Sequence, residues 1–423
     1  MLSEGTPLSR VDWSTKMRTK EKNSGEASQP HNVYLDQSAY GRMLDGASNW
    51  RDSDVGAVLT RAQSAGKAQV WAGPTNVIET IQATRTDRRK ALASMMLELI
   101  HVKRIWWGHE FEAIDDFFVF LTRFVPDAIR FRQYFEHHAT VSQQTWLGVL
   151  ALAASVDGPH FGPVAEDLRH TKAVNQLLHA RFALAPDEWV TKMIAAAEGL
   201  ETTDEDPLAD LTSLSTQQIT DEIDRLSRGA LKPTKLATQR LDKKRDTIAK
   251  AYGGIEIGSI LRTVFRLPLE IPLTFNVPEI VAHWSEVQEA TGCAPLPREI
   301  QMTDPAELAG NASVAFIVVQ HAIRAAARKG LMSTTIGIQV IVREMQRCMN
   351  HEELPTGGLS FDADHAAALK RHDVLVTHDT WLASTLKAIA HKLETATGGK
   401  WRPQIVTTAK QLQEALTRLL PAT

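Results

Sequence analysis

Cysteine is nearly absent from this chain of 423 residues, which has only Cys293 and Cys348, far apart in the sequence. A disulfide framework and a zinc site built from cysteines are therefore both excluded. No apolar run approaches the roughly 20 residues that a membrane-spanning helix needs, and the N-terminal residues contain no apolar stretch typical of a signal peptide. We therefore expect a cytoplasmic protein that does not contact a membrane.

An excess of basic charge is also missing, since 47 Lys and Arg stand against 50 Asp and Glu, a net charge of −3. A protein that coats nucleic acid without specificity is usually strongly basic, so any contact with nucleic acid should come from a local patch. Hydrophobic residues make up 43% and charged residues 23%. These values are typical of a globular protein, and the length fits two to three domains.

The distribution of patterns along the chain predicts one domain interrupted by another. Residues 1–31 are polar and without periodicity, and we interpret them as a disordered arm. Residues 32–91 and 355–423 alternate short strands with helices, which favours an α/β fold with a parallel sheet. The second strand is predicted over residues 68–71, and a helix over residues 362–370. Residues 92–354 are mostly helical in pattern. Because neither α/β segment could bury both faces of a sheet alone, we predict a single α/β domain split by a large, mainly α-helical insertion.

Acidic residues occur where the elements of the predicted α/β domain begin or end. The four candidates are Asp36 directly after the first strand, Glu79 in the first turns of the helix after the second strand, Asp364 in the first turn of the helix before the strand 373–377, and Asp379 two residues after that strand. Sites in parallel α/β sheets form at the carboxyl ends of the strands. We therefore expect these side chains to converge.

Four convergent carboxylates repel one another unless a cation lies between them. Oxygen ligands select a hard ion, so the pattern predicts Mg²⁺ or Mn²⁺ rather than zinc. Such an ion can activate a water molecule and stabilise charge on a phosphodiester during hydrolysis. Each acid also has a simpler interpretation. Asp36, Asp362 and Asp379 could each cap the following helix, and Glu79 could interact with a helix dipole.

Three segments carry a resemblance to a known family: VYLDQSAYGRML, VWAGPTNVIETI and FDADHAAALKRHDVLVTHDTWL. They resemble the successive motifs of PIN-domain nucleases. The strand-end acid corresponds to Asp36, the helical Glu to Glu79, the Asp before an Ala pair to Asp364, and the final Asp after a V-T-x-D strand to Asp379. The resemblance covers under a third of the chain.

The resemblance implies a parallel sheet with helices on both faces and an Mg²⁺- or Mn²⁺-dependent endonuclease acting on RNA. Thr377 would orient the ligands or a metal-bound water. Asp362 is an additional acid, and we choose Asp364 as the ligand because the Ala pair follows it, with Asp362 in reserve. The helical insertion is larger than the family usually carries, and it could select the substrate or bind an inhibitor or partner protein. The alternatives are a nuclease for DNA or flap structures and a non-catalytic PIN-like interaction protein.

Two further segments have more than one interpretation. Residues 231–250 are basic and include Lys243, Lys244 and Arg245, which could contact a phosphate backbone or form an ordinary solvated helix face. The aromatic residues from Trp106 to Phe124 could stack on bases, but such clusters usually form a core, and we assign them to the core of the insertion.

Overall fold

The computed structural model describes residues 30–100, 105–106, 108–124, 128–157, 162–184, 186–198, 214–227, 235–265, 277–310, 333–351, 354, 358–399 and 401–418, with positions 314, 317–318, 321–323 and 325–326. The predicted disordered arm lies outside the described residues up to position 29. None of the helices described is long and apolar enough to cross a membrane.

Four parallel strands form one sheet in the order β2-β1-β3-β4. They are β1 (His31–Leu35), β2 (Ala68–Trp71), β3 (Val374–Val376) and β4 (Gln404–Val406). Tyr34 of β1 lies in register with Trp71 on one side and with Leu375 on the other. The two ends of the sequence therefore contribute adjacent strands, as the split α/β pattern predicts. The predicted domain boundaries at residues 91–92 and 354–355 stay predictions.

Helices make up most of the remaining described structure. In chain order they are α1 (Gln37–Asp45), α2 (Asp54–Ser64), α3 (Pro74–Ile81), α4 (Thr86–Leu99), α5 (His109–Leu121), α6 (Ala128–Ser155), α7 (Gly162–Leu184), α8 (Pro186–Glu198), α9 (Thr216–Ser227), α10 (Lys235–Phe265), α11 (Val277–Ala282), α12 (Trp284–Thr291), α13 (Arg298–Gln301), α14 (Pro305–Gly310), α15 (Ser333–His351), α16 (Leu359–Ala367), α17 (Thr380–Ala396) and α18 (Ala409–Arg418). Short 3₁₀ helices cover Trp50–Asp52 and Ala368–Lys370.

Helices bury both faces of the sheet because successive strand residues point in opposite directions. Val33 and Leu35 join a core with α1, α2 and α4, whereas Tyr34 joins a second core with α15, α16 and α17. Burying both faces explains why the central strand β3, Val374–Val376, is apolar and buried at every position.

A third core lies within the insertion, where Phe117 and Phe120 of α5 pack with Trp284. The core interpretation of the aromatic cluster is therefore confirmed for these phenylalanines. Trp106 instead packs on the sheet, with its ring 5.7 Å from that of Tyr34 in an edge-to-face arrangement.

The structure corrects the predicted start of one helix and the interpretation of an acid in another. α16 begins at Leu359, after Gly358, so Asp364 lies in its second turn and not in its first. Glu79 is the sixth residue of α3, and the first turn of α3 contains no acid. A dipole interaction therefore does not account for Glu79, since that effect is confined to the first turn.

Candidate active site at the carboxyl edge of the sheet

Asp36 lies where β1 and β3 end side by side. Its backbone N–H donates to the carbonyl oxygen of Val376 at 3.1 Å, which continues the ladder by one bond. The buried side chain caps α1, because Oδ1 accepts from the Ala39 N–H at 2.9 Å. The capping interpretation is therefore confirmed for Asp36. A cap uses only part of a carboxylate, which has two oxygens and about four acceptor positions.

Asp379 caps α17 in the same way, since its Oδ1 accepts from the Leu382 N–H at 2.7 Å. The buried hydroxyl of Thr377 accepts from the Asp379 N–H at 3.1 Å and lies 3.4 Å from Ser38 Oγ. Ser38 Oγ donates to Asp36 Oδ1 at 2.8 Å and accepts from the backbone N–H of His378 at 2.8 Å. Two hydroxyl groups therefore connect the loop after β3 to the acid that ends β1.

A buried histidine, His365 of α16, links the site to the sheet. Its Nδ1 is 2.8 Å from the hydroxyl of Tyr34, and its Nε2 is 2.9 Å from Glu79 Oε2. Hydrogen bonding to Glu79 and the charges of Asp36 and Asp362 outweigh burial and raise the pKa of His365 to about 9. At neutral pH His365 is therefore an imidazolium, which donates to both partners.

The two candidate acids of α16 have different surroundings. Asp362 interacts electrostatically with His365, Glu79, Asp379 and Asp36. Asp364, two residues further along and so on another side of the helix, pairs with His109 of α5 at 3.0 Å. We refer to Asp36, Glu79, Asp362 and Asp379 as the acid cluster.

Two members of the acid cluster, Asp362 and Asp36, lie in surroundings that oppose their ionisation. Burial raises the pKa of Asp362 to about 7, and the neighbouring carboxylates act in the same direction, although His365 opposes the shift. Burial also raises the pKa of Asp36, while His365 and the hydrogen bonds from Thr377, Ser38 and Ala39 oppose it. Crowded, desolvated carboxylates of this kind are stabilised by a cation.

The described side chains at this edge of the sheet do not form a metal site held entirely by protein ligands. Among the residues described, no group of three or more His, Cys, Asp and Glu side chains lies close enough together to hold one ion. Mg²⁺ keeps several waters and is commonly held by one or two carboxylates. Asp36 and Asp379 offer oxygen donors of the type that such an ion takes, and the Mg²⁺ or Mn²⁺ site stays a prediction.

The predicted basic patch lies on α10. Arg245 bonds to Asp242 on its own helix and donates to Gln346 Oε1 of α15 at 2.7 Å, so it joins two helices. Lys243 is exposed and Lys244 is partly exposed. A role in binding nucleic acid stays a prediction for these three residues.

A groove of about 290 Å³ lies between α15 and α17, and Trp381 lies at one end of it in the turn that Asp379 caps. Other lining residues include Arg343, Arg347 and Ser384. The guanidinium of Arg347 lies 6.0 Å from the ring centroid of Trp381 and donates from Nε and Nη2 to the Glu344 carboxylate, each at 2.7 Å. Nε of Arg343 is buried and has no hydrogen-bond partner among the described residues.

Comparison with known proteins gives no relative: no protein-family model, curated protein or solved structure matches this chain significantly. The assignment of a function therefore depends on the site itself.

Sequence reasoning did not single out His365, Ser38 or Tyr34. For His365 a local signal exists, because a residue three positions after Asp362 on a helix shares its face. For Ser38 and Tyr34, the separation from their partners is 339 and 331 residues, and no local pattern connects them.

Proposed function

We propose that this chain is a PIN-like, metal-dependent endonuclease that hydrolyses RNA phosphodiester bonds at the acid cluster. The observation that carries the proposal is the electrostatic interaction of Asp362 with Glu79, Asp379 and Asp36, acids from both ends of the chain, beside a parallel sheet. Burial leaves these carboxylates with raised pKa values at Asp36 and Asp362, and a cation would stabilise them.

In this proposal Asp36 and Asp379 hold Mg²⁺ or Mn²⁺. The bound ion would supply an activated water and neutralise charge that develops on the phosphate. Ser38 and Thr377 orient the Asp36 carboxylate and the loop that carries Asp379, and His365 fixes Glu79. Asp362 takes the third acidic position in preference to Asp364, because Asp362 interacts with the other acids of the cluster whereas Asp364 pairs with His109.

The groove beside Asp379 supports a nucleic-acid substrate. Arginine recognises phosphate oxygens through its fork of N–H groups, and an accessible tryptophan provides a stacking surface for an unpaired base. Trp381 lies in the helical turn next to Asp379, so a strand bound along Arg343 would pass close to the acid cluster.

The decisive test is Asp36→Asn, with cleavage of single-stranded RNA measured in Mg²⁺ and in Mn²⁺. Asn caps a helix about as well as Asp but removes one negative charge from the site. We expect the variant to keep its thermal stability in chelator and to lose most of its turnover, and wild-type cleavage should stop when the metal is chelated. Full activity of both Asp36→Asn and Asp379→Asn at saturating metal would reject the proposal.

The imidazolium of His365 favours a second candidate function, a non-catalytic PIN-like interaction protein. His365 already places a positive charge against Glu79 and near Asp36, so part of the role of a metal is filled by the protein itself. Calorimetric titration with Mn²⁺ separates the two functions. A nuclease should bind Mn²⁺ through Asp36 and Asp379, whereas the interaction protein should show no binding that these acids control.

A further inference from the structure

A second cavity lies on the face of the sheet that carries Tyr34. Six residues line this pocket, which has a volume of about 230 Å³ and which we call the aromatic pocket: Asn32, Trp71, Trp106, Gln143, Arg371 and His372. They come from β1, β2, the segment before α5, α6 and the residues before β3. The volume is below the roughly 300–1,000 Å³ typical of drug-sized ligands, so the pocket suits a single small ring system.

The walls of the aromatic pocket are rich in rings. The ring of His372 lies 6.0 Å from that of Trp71 and 5.8 Å from that of Trp106, both in edge-to-face contacts. Tyr34 packs beneath them, with its ring 5.1 Å from that of His372. Trp71 is partly exposed and its indole N–H donates to Asn32 Oδ1 at 3.1 Å, which fixes the orientation of the ring. A planar ring would find favourable contacts in such surroundings.

The aromatic pocket has no uncompensated positive charge. The guanidinium of Arg371 is bound by two buried carboxylates, with Nε 2.7 Å from Glu112 Oε1 and Nη2 2.6 Å from Asp115 Oδ2. Burial lowers the pKa of His372 to about 4, so its ring is neutral at physiological pH. An anion such as phosphate would therefore gain little here, and an uncharged ligand is favoured.

Hydrogen-bonding groups in the walls are left for a ligand. Trp106 is only 4% exposed, and its buried indole N–H has no hydrogen-bond partner among the described residues. A buried donor without a partner costs about 1–3 kcal/mol, and an acceptor on a ligand would relieve this cost. Gln143 donates from Nε2 to the Ile105 carbonyl oxygen at 2.7 Å, which leaves its amide oxygen as an acceptor. Asn32 accepts at Oδ1 and keeps its amide N–H₂ as a donor.

We propose that the aromatic pocket binds one uncharged nucleobase, which stacks against the ring-lined wall and accepts a hydrogen bond from Trp106. An uncharged planar ring with both donors and acceptors on its edge matches every feature of the walls. The choice of a nucleobase among such rings rests on the proposed function. In that setting the pocket selects a base of the substrate, because Tyr34 contacts both His372 of the pocket and His365, which binds Glu79 of the acid cluster.

The test measures binding without cleavage. Wild-type protein in chelator is titrated with adenosine, guanosine, cytidine and uridine, and binding is followed by calorimetry and by quenching of tryptophan fluorescence. We expect saturable binding of at least one nucleoside with a stoichiometry of one, and a 5′-monophosphate should bind no more than about threefold tighter. Absence of saturable binding for all four nucleosides would overturn the proposal, and so would a monophosphate that binds more than tenfold tighter.

Two variants test whether the nucleoside binds in the aromatic pocket. Trp106→Phe keeps an aromatic ring but removes the N–H, and it should weaken the preferred nucleoside about two- to tenfold. Trp50→Phe is the matched control, because Trp50 lies outside the pocket and donates to Glu98; its affinity should equal that of the wild type. If Trp106→Phe does not fold, Gln143→Leu should give a comparable loss. Equal nucleoside affinities in wild type and in the folded pocket variants would show that the nucleoside does not bind in the aromatic pocket.

The outcome is separable from that of the proposed nuclease function. Metal-dependent RNA cleavage without nucleoside binding would overturn only the aromatic pocket as a base site. Nucleoside binding that Trp106→Phe weakens, in a protein that cleaves no RNA, would overturn only the nuclease function and would leave the pocket as a site for a free nucleoside.

Discussion

Asp362 and Asp364 lie two residues apart on α16 and differ in the charges around them, which allows a matched pair of variants. Asp362→Asn removes a member of the acid cluster, and we expect it to reduce metal-dependent RNA cleavage at least tenfold. Asp364→Asn alters a carboxylate that pairs with His109 and accepts from Thr75, outside the acid cluster, and it should retain most activity. Initial rates of RNA cleavage at saturating Mn²⁺ show which of the two acids belongs to the site. Loss of activity in Asp364→Asn alone would return the third position to Asp364.

Asp362→Asn should also change how the free energy of unfolding depends on pH in metal-free protein. The pKa of Asp362 is raised from 3.8 to about 7, so the folded state holds this proton more tightly than the unfolded state. The contribution of Asp362 to stability is therefore lost as the pH rises from about 4 to about 7. Asp362→Asn should lack this decline. Urea unfolding at a series of pH values in chelator, compared with Asp364→Asn, measures the difference.

His365 should also make the free energy of unfolding depend on pH, but in a more alkaline range. Its pKa is raised from 6.5 to about 9, so the stabilisation by the protonated ring is fully present below pH 6.5 and is lost as the pH rises through 9. His365→Gln keeps a polar side chain but carries no charge. We expect it to lower the free energy of unfolding by about 1.5–3 kcal/mol at pH 6, the range for a charged hydrogen bond.

By pH 10 the stabilities of wild type and His365→Gln should approach each other. Denaturant unfolding at pH 6, 8 and 10 provides the comparison. A difference that does not change with pH would show that His365 acts through packing and not through its charge.

The contact between α5 and the turn before β3 depends on buried ion pairs. Arg371 binds Glu112 and Asp115, which are 1% and 2% exposed, and Lys370 binds Asp116. Removing one member of a buried ion pair leaves an uncompensated charge and costs about 3–5 kcal/mol. Arg371→Met should therefore destabilise the protein by that amount in thermal or denaturant unfolding.

An exposed arginine provides the control for Arg371→Met. Arg85 pairs with Asp87, and both side chains are largely exposed. Surface pairs contribute at most about 1 kcal/mol, so Arg85→Met should change stability little. Similar effects of the two substitutions would contradict the importance of the buried network for docking α5 against the sheet.

Some elements were accessible from sequence because their signals are local. β2 was predicted with the bounds that the structure shows, Ala68–Trp71, since a run of strand-forming residues lies between Gly66 and Gly73. The true start of α16 was missed because Gly358 has no side chain to cap the helix, whereas Asp362 resembles a cap. The pairing of His365 with Glu79 joins residues 286 positions apart, which only the folded chain brings together.

The sheet as a whole joins the two ends of the chain, because β1 lies between β2 and β3. β1 cannot leave the sheet without breaking its bonds to both neighbours, so amides in 31–35 and 374–376 should exchange with deuterium in one cooperative opening. A metal held by Asp36 and Asp379 connects the ends of β1 and β3. At a free concentration 100 times its dissociation constant, Mn²⁺ should stabilise the folded state by about 2.7 kcal/mol.

Hydrogen exchange with and without Mn²⁺ tests this coupling. We expect protection of both strands to increase together in wild type, by up to about a hundredfold for amides that exchange only through global unfolding. Asp379→Asn should show little increase in either strand, because the charge that attracts the ion at the end of β3 is gone. Exposed helix ends such as Arg418 in α18 should be unaffected, since they exchange by local fraying. An increase confined to one strand would place the ion outside the junction of β1 and β3 and would contradict a site shared by the two ends of the chain.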